Sequence, residues 1–294
     1  MKKRYTNTGY RPLWKIGFEN LALEVINRLQ SIIYRGFRLE NRNPSYRRFA
    51  NIAAFIAVVI VNGLAGATST IGERNTAQVS NSYPTLITPA GYVFSIWGII
   101  YILLGVFVVY QALPSQQGKS FQSKIGWLFV LSSVANVVWL FLWQFEFLAV
   151  TVPVMFLLLG SLIFIYVRVG IGKTNAPFRE QLAVYVPFSV YLGWITIASI
   201  ANVATTLVSL NWDGFGLSAQ VWATLIVILV LIITALVIVT RRDIAFTLVI
   251  IWALVGIGFN NSSNQAVFYL IELSALIVVV LLVAWTLVNK LKKK

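Results

Sequence analysis

The sequence predicts an all-α polytopic membrane protein with eight spans, and three observations carry that expectation. Apolar runs long enough for a hydrocarbon core, which takes about 20 residues, recur from Asn51 onward. Hydrophobic residues make up 59% of the chain and charged residues only 11%, against about 25% charged in soluble domains. Lysine and arginine concentrate on alternate connections, the distribution that orients membrane helices.

Residues 1–50 are polar and basic, with eleven Lys/Arg and three Glu. No short apolar h-region follows the basic start, so no secretory signal peptide is expected. Within this segment, residues 16–39 space Phe18, Leu21, Val25, Leu29, Ile32 and Ile33 by threes and fours, with Arg28, Arg35 and Arg38 between them. That pattern predicts an amphipathic helix lying on an anionic cytoplasmic lipid surface or on the protein's own cytoplasmic loops. Glu19, Glu24 and Glu40 argue against an organellar transit peptide, because such peptides avoid acids.

The expected spans are 50–68, 88–112, 124–144, 148–168, 182–208, 219–240, 243–260 and 266–289, the seventh being the shortest. Breaks fall where turn residues collect, as in Pro114–Gly118, Asn211–Gly214 and Asn260–Asn264. With the N-terminus inside, the inner segments hold 22 of the 23 basic residues and the outer loops hold only Arg74. The split predicts both termini on the cytoplasmic side. It also explains the net charge of +14 as topology signals and anionic-lipid anchors, so nucleic acid is not an expected partner. A bacterial inner membrane is the expected location, with an organellar membrane as the alternative.

The chain has no cysteine and no histidine. This removes disulfides, thiol nucleophiles, the usual general base, the usual metal ligands and the usual axial ligand of haem. Most of the nine carboxylates lie in loops. No catalytic set, metal site or resident cofactor is therefore expected, and the chain is not read as an enzyme.

Candidate site residues come from one loop and three spans. Residues 69–87 form the one long outer connection, with Asn75, Thr76, Gln78, Asn81 and Ser82; it is either a functional loop or a tether. It leads into Pro89, Tyr92, Phe94, Trp97 and Tyr101. Trp97, Tyr101 and Gly105 step by four and so share a helix face. Spacing alone leaves both an aromatic pocket wall and an aromatic packing seam open. Asn136 and Trp139 are three apart. Tyr191 precedes Trp194 by three, and Trp194, Ala198 and Asn202 step by four. An unpaired amide in hydrocarbon costs several kcal/mol, so each Asn needs a neighbouring helix or a ligand as partner. Two Asn, each beside a Trp, favour a polar and aromatic cavity over interhelical glue alone. Glu272 is the one charge expected at depth within residues 219–289, Asp243 standing at the very edge of its span; an ionisable group at depth is a candidate proton or polar site, with a structural pairing as the preferred reading.

The same three stretches resemble the TspO/MBR family, the tryptophan-rich sensory proteins and translocator (peripheral benzodiazepine receptor) proteins. That family's second helix reads Pro-Pro-x-x-Val-Phe, Trp, Leu-Tyr, Met-Gly; this chain has Pro89-Ala90-x-x-Val93-Phe94, Trp97, Ile100-Tyr101, Leu104-Gly105. The family's Leu-Asn-x-x-Trp is similar to Ala135-Asn136-x-x-Trp139, and its Pro-Tyr-x-x-Trp, Ala, Leu-Asn to Val190-Tyr191-x-x-Trp194, Ala198, Ala201-Asn202. The chain departs at Ile87 and Ala90, where the family has Trp and a second Pro, and at Val190. A loose sterol pattern occurs only at Leu162, Tyr166 and Arg168, so sterol binding has little support.

The resemblance implies a five-helix bundle at 51–212 that binds a hydrophobic planar ligand, a tetrapyrrole such as protoporphyrin first, and acts as a receptor, sensor or carrier, often as a homodimer. Residues 213–294 remain as a three-helix extension with a basic tail. The expected ligand site comprises Pro89, Tyr92, Phe94, Trp97, Tyr101, Asn136, Trp139, Tyr191, Trp194, Ala198 and Asn202. The competing expectation is a proton-coupled secondary transporter of a small hydrophobic molecule that uses Glu272. No internal repeat between helices one to four and five to eight supports it.

Overall fold

The computed structural model describes residues 44–67 and 71–291, and every long element in it is a helix. The expected amphipathic helix at 16–39 and the basic residues 292–294 lie outside the described residues. The eight long helices are α1 (Pro44–Ala67), α2 (Ile96–Ala112), α3 (Leu128–Gln144), α4 (Leu148–Val169), α5 (Val186–Ser209), α6 (Ala219–Arg241), α7 (Ile244–Asn260) and α8 (Gln265–Leu291).

Six helical segments are long and apolar enough to cross a membrane, and α3 and α7 are shorter at 17 residues each. Seventeen residues rise about 25 Å, short of the roughly 30 Å hydrocarbon core. The expected third span at 124–144 is divided: a short helix, Ser120–Ile125, ends at Gly126, whose φ of 53° and ψ of −130° are open only to glycine. The expected second span opens as a 3₁₀ turn at Gly91–Ser95 before α2 begins. The fifth carries a π turn at Gln181–Tyr185, in which Val186 N–H bonds Gln181 O. Pro187 explains that turn, since its ring lacks an N–H and crowds the preceding carbonyls.

Helix α5 is the axis of the bundle, with 72% of its apolar window buried. It packs on α4, α2 and α7, while α3 pairs with α4 and α8 with both α6 and α7. Gly193 sets the α5–α7 distance, because a Cβ there would lie 3.1 Å from Phe246 O and from Val249 Cβ. Helix α1 is peripheral and is fixed along its length, Gln144 Nε2 of α3 donating to Ala65 O at 3.2 Å near its end. Asn51 Nδ2 donates to Gln111 Oε1 at 2.9 Å, the Phe55 ring fills the space left by Gly105, and Asn62 Nδ2 donates to Asn136 Oδ1 at 2.8 Å.

The last three helices are joined to the others by buried polar contacts at both ends of α7. At its start Asp243, 7% exposed, caps the helix through Phe246 N–H at 3.0 Å. The other carboxylate oxygen of Asp243 accepts from Tyr166 of α4 at 2.8 Å and from Ser189 of α5 at 2.6 Å. At its far end α7 holds the segment ahead of α2.

Candidate functional site

A cavity opens between α2, α3 and α5, beneath the connection from α1 to α2. Trp97 is its centre. The Trp97 ring lies 6.3 Å from Trp139, 6.1 Å from Trp194 and 6.1 Å from Tyr191, and it stacks on Tyr101 at 5.7 Å and 16°. Phe94 meets Trp194 edge-on at 5.8 Å, and Trp139 stacks on Trp143 at 5.4 Å. These offset and edge-to-face geometries are the ones that ring quadrupoles favour.

The roof is a short helix, Thr76–Ser82. Asn75 and Gln78 form a reciprocal capping box at its start: Gln78 N–H donates to Asn75 Oδ1 at 3.0 Å, and Asn75 N–H to Gln78 Oε1 at 2.8 Å. Trp143 Nε1 donates to Thr76 O at 3.2 Å, tying the roof to α3. Arg74 pairs with Glu146 on the α3–α4 turn and donates to Ser82 Oγ at 2.6 Å. Tyr83 hydroxyl donates to Glu146 Oε2 at 2.7 Å. That bond to a carboxylate, reinforced by burial, holds the Tyr83 phenol above its usual pKa. The described part of the α1–α2 connection, residues 71–87, is thus an ordered cover latched by Arg74.

Seven of the eleven expected residues line the cavity: Pro89, Phe94, Trp97, Trp139, Trp194, Ala198 and Asn202. Thr76 and Ser80 of the roof, with Trp143, Ile197 and Ala201, complete the lining. The sequence carried signals for these five. Trp143 follows Trp139 by four, Ile197 and Ala201 flank the Trp194 stripe, and the Asn75-x-x-Gln78 pattern marks a helix start under which Thr76 and Ser80 share a face.

Four expected residues lie elsewhere. Tyr92 turns outward and meets Trp252 and Phe259 of α7 edge-on at 5.5 and 5.9 Å; five residues ahead of Trp97, it is off the Trp97 face in an α or a 3₁₀ register alike. Tyr101 sits behind Trp97 as its stacking partner. Tyr191 supports Trp97 from the α5 side. Asn136 is fully buried and bonded to Asn62; its Nδ2 reaches no acceptor within hydrogen-bond geometry, although the Tyr191 hydroxyl is beside it.

The two amides also divide differently from the expectation. Asn202 lines the cavity, yet its polar atoms are engaged within the protein. Trp139 Nε1 donates to Asn202 Oδ1 at 3.0 Å, and Asn202 Nδ2 donates to Thr151 Oγ1 at 2.6 Å. This buried amide joins α3, α4 and α5. Trp194 is different: it is 2% exposed, and its indole N–H has no acceptor.

The cavity encloses about 390 Å³ of atom-free space, its open mouth included, but only about 20 Å³ of this can hold the centre of a water molecule. That is room for about one water. Glu272 is not part of the lining. It stands half-buried on α8 against Gly258 of α7, where an added Cβ would strike its carboxylate. Among the described residues no cluster of His, Cys, Asp or Glu is able to hold a metal ion.

A family match described as TSPO-like protein covers residues 48–288. The chain belongs to the TSPO-like family. The matched region contains every cavity residue and also runs through α6 and α7 and most of α8. Comparison with curated proteins and with solved structures gives no match. TSPO-like membership, together with the long apolar helices, makes this an integral membrane protein and points to a receptor or transporter of hydrophobic ligands.

Proposed function

We propose that this TSPO-like chain binds a flat hydrophobic ligand, a tetrapyrrole such as protoporphyrin first, and serves as a membrane receptor, sensor or carrier for it. The observation that carries the reading is the apolar box of Trp97, Trp139, Trp143, Trp194 and Phe94 under a latched helix. In the closed form the rings satisfy one another. A planar aromatic ligand exchanges ring–ring contacts for ring–ligand contacts at little cost, and the unpartnered Trp194 N–H supplies a donor for a polar edge. Because the closed cavity holds about one water, admission requires the roof helix and the Trp97 ring to move together. With no histidine or cysteine in the chain, a bound haem would lack its usual axial ligands, so a metal-free porphyrin is preferred.

In this reading all eight long helices cross the bilayer, α3 and α7 in a locally thinned or tilted setting, and both termini are cytoplasmic. Anionic lipids contact the basic inner segments. The test is titration of the purified protein with protoporphyrin while following tryptophan fluorescence. Saturable quenching that weakens at least about tenfold in Trp97→Ala and Trp194→Ala is expected. Absence of saturation, or identical curves for both variants, would overturn the proposal.

A further inference from the structure

We propose that α7 is the positioning element of the aromatic cavity, so that ligand affinity is set in part by residues on α7 that never touch the ligand. The inference rests on the ligand-binding reading above and concerns the same site. Its starting point is the segment Leu86–Val93. Ile87, Thr88, Pro89 and Ala90 are all buried, yet 86–90 has no regular structure and Gly91–Ser95 is a single 3₁₀ turn. Buried backbone groups in a membrane protein need partners inside the protein.

Helix α7 supplies them from one stripe. Trp252, Gly256 and Asn260 step by four and share a face, with Asn261 next to it. Asn261 Nδ2 donates to Leu86 O at 3.0 Å and Asn260 Nδ2 to Thr88 O at 3.0 Å. Trp252 Nε1 donates to Val93 O at 3.2 Å. Ala90 N–H donates to Gly256 O at 3.1 Å. Gly256 is a glycine for a steric reason: a Cβ there would overlap the Val93 side chain, which is fully buried.

The segment therefore has two faces. The carbonyls of Leu86, Thr88 and Val93 and the Ala90 N–H are held by α7, while Pro89 and Phe94 form cavity wall and lead directly to Trp97. The residue at 90 decides whether this clamp can form. A proline has no N–H to donate, and its ring would occupy the space through which Ala90 reaches Gly256 O. The alanine at 90, which breaks the Pro-Pro pattern noted in the sequence, is thus matched to the presence of α7.

The test combines two readouts on the full chain in detergent or nanodiscs. Ala90→Pro removes the clamp at its centre. Trp252→Phe keeps an aromatic ring near Tyr92 and deletes the N–H together with part of the ring area. Asn260→Ala alters an exposed residue and leaves folding intact. The expected result is faster amide hydrogen exchange confined to 86–97, with α3 and α4 unchanged, and protoporphyrin affinity reduced about fivefold for each single lost bond and more for Ala90→Pro. Exchange that is unaltered in Trp252→Phe and Asn260→Ala overturns the proposal, as does altered exchange with wild-type affinity. If the wild-type chain binds no protoporphyrin, the ligand reading fails on its own, and local exchange at 86–97 alone decides whether α7 is the clamp. Should Ala90→Pro fail to fold, the other two variants decide.

Discussion

Replacing Asn202 by leucine, a somewhat larger side chain with the same branched skeleton, tests which partner the buried amide serves. The structure assigns it to the protein. The change strands the Trp139 indole N–H, which now donates to Asn202 Oδ1 at 3.0 Å. It also removes the bond from Asn202 Nδ2 to Thr151, whose own hydroxyl keeps its bond to Leu148 O at 2.6 Å. A stranded buried donor costs about 1–3 kcal/mol and a lost ordinary bond about 1 kcal/mol, so the total is about 2–4 kcal/mol. At roughly 2–4 °C per kcal/mol for a chain of this size, the melting temperature should fall by about 4–16 °C. The assay is thermal unfolding in detergent, with Trp139→Phe and the double variant completing a cycle. The double variant should lose less than the sum of the singles, because the stranded donor is gone. A melting temperature unchanged in Asn202→Leu, or strictly additive losses, would refute the assignment and return the amide to the ligand.

Three further outcomes follow from the same geometry. The raised pKa of Tyr83 stems first from its bond to Glu146, so the neutral phenol is the form that folding favours. Its contribution is complete below the ordinary tyrosine value of about 10 and is lost as pH rises through the raised one. The stability difference between wild type and Tyr83→Phe should therefore be flat from neutral to mildly alkaline pH and shrink above it, and a difference that grows with pH would contradict this. The absence of cysteine permits single-cysteine topology mapping. Ser218→Cys and Ser263→Cys should react with an impermeant maleimide from outside, while Ser115→Cys and Asn175→Cys should not; inversion of one or some of the four removes the eight-span reading, and inversion of all four reverses the termini. Glu272→Gln should leave protoporphyrin affinity unchanged, and a loss of binding or of proton-driven ligand uptake would revive the transporter alternative.

Much of the fold was legible because a hydrocarbon core leaves few choices. The apolar runs marked where the long helices lie. What the pattern missed were local breaks set by single residues. Gly126 ends a helix by its φ and ψ, and Pro187 inserts a π turn, and neither interrupts the hydrophobicity. In the site, helical spacing found the Trp97, Trp139 and Trp194 walls. Tyr92 lies five residues ahead of Trp97, so spacing gave no support for placing it in the site, and it faces α7 instead. The sequence reading also assigned the amides of Asn136 and Asn202 toward the ligand, since spacing gives a face but not the partner across it. The role of α7 was least legible: its four contacts with Leu86–Val93 span more than 150 residues of sequence, as in Trp252 to Val93.

The most direct test of the account is whether protoporphyrin is held rigidly in the cavity. Free porphyrin is achiral and gives no circular dichroism in its Soret band. A saturable induced Soret signal at one porphyrin per chain is expected, lost in Trp97→Ala and retained in Glu272→Gln. No induced signal at saturating porphyrin, or the same signal in Trp97→Ala, would contradict it.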